Sequence, residues 1–92
     1  MAEQLIHEAF ARHVSARPDA IALSFRGHRD SYRTLDLVAR AFAAELAARG
    51  VAPGSVVPVA LPRSPRLVAV LLAILKRGAA YAVCDPRWMA FP

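Results

Sequence analysis

The chain has 92 residues, 57% hydrophobic and 21% charged, with one Cys and 12 Lys+Arg against 7 Asp+Glu for a formal net charge of +5. That length holds one small domain at most, and that apolar content excludes intrinsic disorder. A folded chain of this size buries only about two-thirds of its unfolded surface, so this much apolar sequence implies that further protein covers part of it.

Residues 4–16 place Leu5, Ile6, Ala9, Phe10, His13 and Val14 at helical spacing, with Glu3, His7, Glu8, Arg12 and Ser15 opposite, which predicts an amphipathic helix. Pro18 turns Arg17 away from helical geometry, and the apolar run at residues 20–25 reads as a strand. Arg26-Gly27-His28 then supplies a tight turn, so that residues 29–32 can pair back antiparallel.

Residues 34–49 predict a second helix with Leu35, Val38, Phe42 and Leu46 on its core face, Glu45 within reach of Arg49, and Gly50 just past its end. Pro53-Gly54 has the order that a type II turn requires. Residues 56–61 read as a strand in which Pro58 removes one ladder donor, a feature of edges and bulges.

Ser64 as N-cap and Pro65 in the first turn open a third helix. Its Leu67, Val68, Val70, Leu71, Leu72, Ile74 and Leu75 are apolar on every face before Lys76-Arg77 and Gly78 close it, which predicts cover all round. The apolar run at residues 79–84 ends at Asp85-Pro86, so residues 56–84 form a βαβ unit of the kind found in parallel sheets covered on both faces. Arg87-Trp88-Met89-Ala90-Phe91-Pro92 follows as a tail with large apolar groups.

Little in the chain carries chemistry. Gly27, Gly50, Gly54 and Gly78 are isolated and match no phosphate-binding loop. His7 and His13 lie six apart and do not share a helix face as metal ligands would, and His28 falls in a turn. Ser31, Ser55 and Ser64 lack a nucleophile-elbow setting, and Ser64 reads as a helix cap. Cys84 lies in an apolar strand, the setting of a small core residue rather than a reactive thiol.

A single Cys, no signal-peptide pattern at Met1-Ala2-Glu3-Gln4 and a longest apolar stretch far short of the roughly 20 residues of a membrane span predict a cytoplasmic protein without a membrane segment. The basic residues are scattered, and Arg12, Arg40 and Arg49 fall on solvent faces of predicted helices, so nucleic-acid binding is the weakest of the functional readings.

Three segments in order carry a resemblance. Arg17-Pro18-Asp19-Ala20-Ile21-Ala22-Leu23, Ser31-Tyr32-Arg33-Thr34-Leu35, and Leu75-Lys76-Arg77-Gly78-Ala79-Ala80-Tyr81 with Asp85-Pro86 resemble the start of an adenylation domain of a nonribosomal peptide synthetase, in the adenylate-forming, AMP-binding ligase superfamily. The last segment is the most specific of the three, and the resemblance runs from Leu5 to about Trp88. Thr34, Pro58, Arg66, Val83 and Cys84 depart from the family pattern.

The resemblance implies an α/β fold that is a truncated N-terminal part of the adenylate-forming enzyme fold. It would have three helices and short strands including one parallel βαβ unit, over residues 1–88, with 89–92 as a cut-off tail. It also implies a parent domain that uses ATP and Mg to convert an amino or aryl acid to an acyl-adenylate, releases pyrophosphate, and loads a carrier-protein thiol.

On that pattern the phosphate loop, acid pocket and catalytic Lys lie downstream, so no catalytic, cofactor or metal residue is expected here. Ser31, Tyr32, Leu35, Leu75, Lys76, Gly78, Ala80, Tyr81, Asp85 and Pro86 are expected to be structural, and the chain alone inert. The expected partners are the rest of an adenylation domain, other synthetase modules, a carrier protein, or a second copy of the chain. The alternative reading is a non-catalytic docking module derived from such a domain.

Overall fold

The computed structural model describes residues 2–83, and side-chain environments within residues 6–82. Its elements run α1 (Ala2–Ala16), β1 (Ile21–Phe25), β2 (His28–Ser31), α2 (Tyr32–Ala48), β3 (Val56–Val59), α3 (Pro65–Lys76) and β4 (Ala80–Val83). All three predicted helices and the βαβ unit form. Cys84, Asp85, Pro86 and the tail lie outside the described residues.

The hairpin turns at Arg26-Gly27, both with positive φ, and pairs β1 with β2 antiparallel, with an irregularity between Ile21 and Leu23. The second strand ends one residue earlier than the sequence suggested, and α2 starts at Tyr32 rather than Thr34. The cause is Ser31, whose backbone is extended (φ −75, ψ 164) and whose Oγ accepts the Thr34 N–H at 3.1 Å. That cap fixes the helix start and draws Tyr32 into the first turn.

At the other end of α2, Glu45 pairs with Arg49 at 2.9 Å, and Gly50 takes φ 87 directly after the Arg49 C-cap. Such a left-handed residue past the last turn lets terminal N–H groups return to helix carbonyls. Gly50 N–H does so to Ala47 at 3.1 Å.

Ser64 caps α3 in the same way, its Oγ accepting the Leu67 N–H at 3.2 Å and donating to the Pro62 carbonyl at 3.0 Å. Ser64→Ala is expected to cost about 1 kcal/mol in urea unfolding, because two backbone groups lose their partner. A change no larger than that of an exposed substitution would show that the Pro62–Pro65 turn holds the helix start unaided.

β3 and β4 form a two-stranded parallel sheet with Val56 opposite Ala80 and Val59 opposite Val83. β3 stops at Val59, short of the expected Leu61, and pairs with β4 up to Val83, the last described residue. Pro58 sits within the ladder opposite Ala82, without a bulge.

Packing divides between two apolar clusters. Phe10, Leu35, Ala39, Ala69 and Leu72 join the three helices, and Val59, Ile74 and Ala79 join α3 to the sheet. Cover is less complete than the periodicity implied. Val38, expected on the core face of α2, is 41% exposed, Ile6 on α1 is exposed as well, and Val68, Val70 and Leu71 of α3 are only half-buried. Within this chain α1 and α2 pack on α3 through Ala69 and Leu72, and the β3–β4 sheet packs on it through Ile74.

Candidate functional site

The second and third of the family-like segments meet where α2 and α3 pack. Leu35 and Leu75 are both buried. Beside Leu35, Asp36, with its side chain 7% exposed, forms ion pairs with Lys76 Nζ at 3.0 Å through Oδ1 and with Arg40 Nε at 2.8 Å through Oδ2. The Lys76 ammonium also lies 5.9 Å from the centre of the Phe10 ring, so one cation ties α3 to both α2 and α1.

The remaining segment residues have equally local tasks. Ser31 caps α2 and also donates to Thr34 Oγ1 at 3.1 Å. The Tyr32 ring stacks on His13 at 5.2 Å and lies 5.8 Å from Phe10, clamping α1 against the start of α2.

Gly78 takes φ 72 with its Cα facing Pro53, where an added Cβ would stand 3.4 Å from the Pro53 Cβ. Its carbonyl accepts the Gly54 N–H at 3.1 Å. Ala80 donates its N–H to Ser55 at 2.8 Å, starting the sheet, and Tyr81 packs beside Ile74 and Val59. Arg77 reaches across to the Val51 carbonyl, with Nε at 3.2 Å and Nη2 at 3.0 Å. Asp85 and Pro86 lie outside the described residues.

Asp36 is the member that sequence reading missed. Its signal was a carboxylate adjoining an otherwise apolar stripe, four residues ahead of Arg40.

The described residues do not fit ATP or Mg. The glycines sit in separate turns, each with positive φ. Asp36 is already held by two cations, and no group of three His, Cys, Asp or Glu side chains suited to a metal is found among the described residues. Of the histidines, His13 stacks on Tyr32 and His28 pairs with Asp30 at 3.0 Å.

Among the described residues the surface carries an apolar groove and a smaller cleft. A shallow apolar groove of about 530 Å³ runs along α2 over Leu37, Val38, Ala41 and Phe42. A smaller cleft of about 280 Å³ lies between the hairpin and the start of α3, beside His28, Asp30 and Arg66. No helix among the described residues is long and apolar enough to cross a membrane.

Among the described residues of these segments, Ser31 caps α2, Tyr32 packs on α1, Lys76 ties helices together, and Gly78 and Ala80 shape the entry to β4 in an α/β fold. The chain belongs to the AMP-binding enzyme family, whose model matches residues 10–91, and it forms the N-terminal part of a nonribosomal peptide synthetase adenylation domain.

Nonribosomal peptide synthetase opaA of Aspergillus ustus is 42% identical over 83 residues, 90% of this chain and 2% of that protein. The probable non-canonical synthetase CymA of Salinispora arenicola is 48% identical over 85 residues, 92% of this chain and 1% of its own length. Among solved structures, NpsA-ThdA, an artificially fused adenylation–PCP di-domain from Klebsiella oxytoca, superimposes with a TM-score of 0.83 at 30% identity, over 88% of this chain and 15% of that one. The chain thus spans a few per cent or less of the synthetases it matches.

Proposed function

We propose that this chain is the structural N-terminal portion of an adenylation domain that, when complete, activates an amino or aryl acid with ATP and Mg to an acyl-adenylate for transfer to a carrier protein. By itself it is inert. The observation that carries this reading is the ion pair between buried Asp36, the residue after the second family segment, and Lys76 of the third, together with the family match. The most chemically versatile side chain of those segments, Lys76, is a tie between helices rather than a group presented to substrate. The adenylation–PCP arrangement of NpsA-ThdA supports a carrier protein as the eventual acceptor.

The test is acid-dependent ATP–pyrophosphate exchange, run with the chain alone, with NpsA-ThdA lacking its corresponding N-terminal segment, and with the two together. The intact NpsA-ThdA protein and its own acid serve as reference. Expected is no exchange with either piece alone and measurable exchange with the pair. Exchange by the chain alone would overturn its inertness, and failure of the pair to associate would overturn the structural reading.

The exposed apolar groove at Leu37, Val38, Ala41 and Phe42 favours a second reading, a docking module that binds a synthetase partner without restoring chemistry. Stable association without exchange supports that reading. The same exposed groups make self-association expected for the isolated chain, and a dilute monomer that melts cooperatively in sedimentation and calorimetry would count against it.

A further inference from the structure

The hydrogen-bond phase of the parallel sheet shows which main-chain groups are spent and which are open. Ala80 N–H donates to the Ser55 carbonyl at 2.8 Å, and the register sets Val56 opposite Ala80 and Pro58 opposite Ala82. In a parallel ladder alternate residues face the partner strand. Val57 and Val59 therefore point their main-chain groups at β4, and Ala80 and Ala82 point theirs at β3. Val56 and Pro58 face the outer edge of β3, whereas Tyr81 and Val83 face the outer edge of β4.

The two outer edges are unequal. Proline has no N–H, and this one lies where an added strand would need it. A strand laid along β3 meets one donor, from Val56, and a gap at Pro58. A strand laid along β4 meets two, from Tyr81 and Val83.

The faces describe what such a strand must look like. One face carries Val57, Val59 and Tyr81 against α3. The other carries Val56, 67% exposed, with Pro58, Ala80 and Ala82, also exposed and all apolar. A sheet apolar on both faces belongs inside a three-layer arrangement, and its next strand is apolar on both sides.

We propose that an apolar strand from the remainder of an adenylation domain adds along the outer edge of β4, and that Pro58 keeps the edge of β3 closed to strand addition. This rests on the reading of the chain as part of such a domain, in which it accounts for 15% of the matched NpsA-ThdA chain. It adds to that reading the side on which the sheet grows.

Residue-resolved amide hydrogen exchange on the full 92-residue chain, alone and with the complementing NpsA-ThdA polypeptide, reads the two edges separately. On complex formation the Tyr81 and Val83 amides are expected to slow by about tenfold or more, with Val56 unchanged. Slowing at Val56, or a complex in which Tyr81 and Val83 do not slow, overturns the edge assignment while the complementation, and with it the functional reading, stands.

If no complex forms, the functional reading fails and the edge is judged on the chain alone by sedimentation velocity. With one open edge the wild-type chain pairs through β4 and stops at a dimer, and the same two amides slow with concentration. Pro58→Val, at an exposed position, opens the second edge and assembles further. Identical assembly of Pro58→Val and wild type, with circular dichroism confirming that both are folded, overturns the proposal.

Discussion

Replacing Ile74 with Ala is expected to lower the stability of the chain by about 3–4 kcal/mol, read as a shift in the urea midpoint at unchanged slope. Ile74 is 0% exposed and is the largest fully buried side chain among the described residues. It sits between Val59 of β3 and Ala79 of the turn into β4, with Leu71 and Tyr81 closing around it. Its own carbonyl accepts from Arg77 at 3.1 Å and from Ala79 at 3.2 Å, so the backbone cannot easily settle into the space left behind.

A domain of this size is stable by about 5–14 kcal/mol in all, so one truncation removes a large share. The melting temperature should fall on the order of 15 °C. Ile74→Val should cost only about 1 kcal/mol, and Leu37→Ala, at a side chain 60% exposed, about 0.5 kcal/mol or less. Protein concentration must be held fixed across the series, because association of the exposed faces would shift apparent stability. Equal losses at positions 74 and 37 would mean that the α3–sheet cluster is not the core of this chain.

Much of the fold was legible because its punctuation is local. Ser64-Pro65 opens α3, Gly50 ends α2, and Pro53-Gly54 places a turn with Gly54 at φ 90, each within a few residues of the feature it controls. The Tyr32 boundary was misjudged by two residues because an aromatic at the end of a polar run reads as strand, while the Ser31 cap that decides the matter depends on backbone geometry. Val38 shows a different limit. Helical period gives the direction of an apolar face but not how far cover extends, and Val38 lies where the cover provided by this chain ends. The family segments were recognised for their order, yet what joins them stayed hidden, since the carboxylate of Asp36 finds its cation on another helix far along the chain.

That junction carries the second large effect: Lys76→Met is expected to cost about 2–4 kcal/mol. The Asp36 carboxylate is nearly enclosed and cannot turn to water, so without Lys76 it retains only the Arg40 Nε at 2.8 Å. That remaining bond keeps the loss below what a fully orphaned buried charge would cause. Met fills the space of the lysine stem beside Phe10, which separates the charge effect from a packing effect.

Asp36→Asn should cost less, about 1–2 kcal/mol, because Lys76 is 21% exposed and can extend its ammonium toward solvent, while Arg40 is already largely hydrated. The double variant should lose clearly less than the sum of the two, since each single change strands a partner that the double change removes. Additive losses in that cycle would mean that the pair contributes nothing jointly, and the second and third family segments would then be held together by their apolar contacts alone. A coupling of about 1 kcal/mol or more would identify the Asp36–Lys76 contact as the element that fixes how α3, and with it the open sheet, is presented to the rest of an adenylation domain.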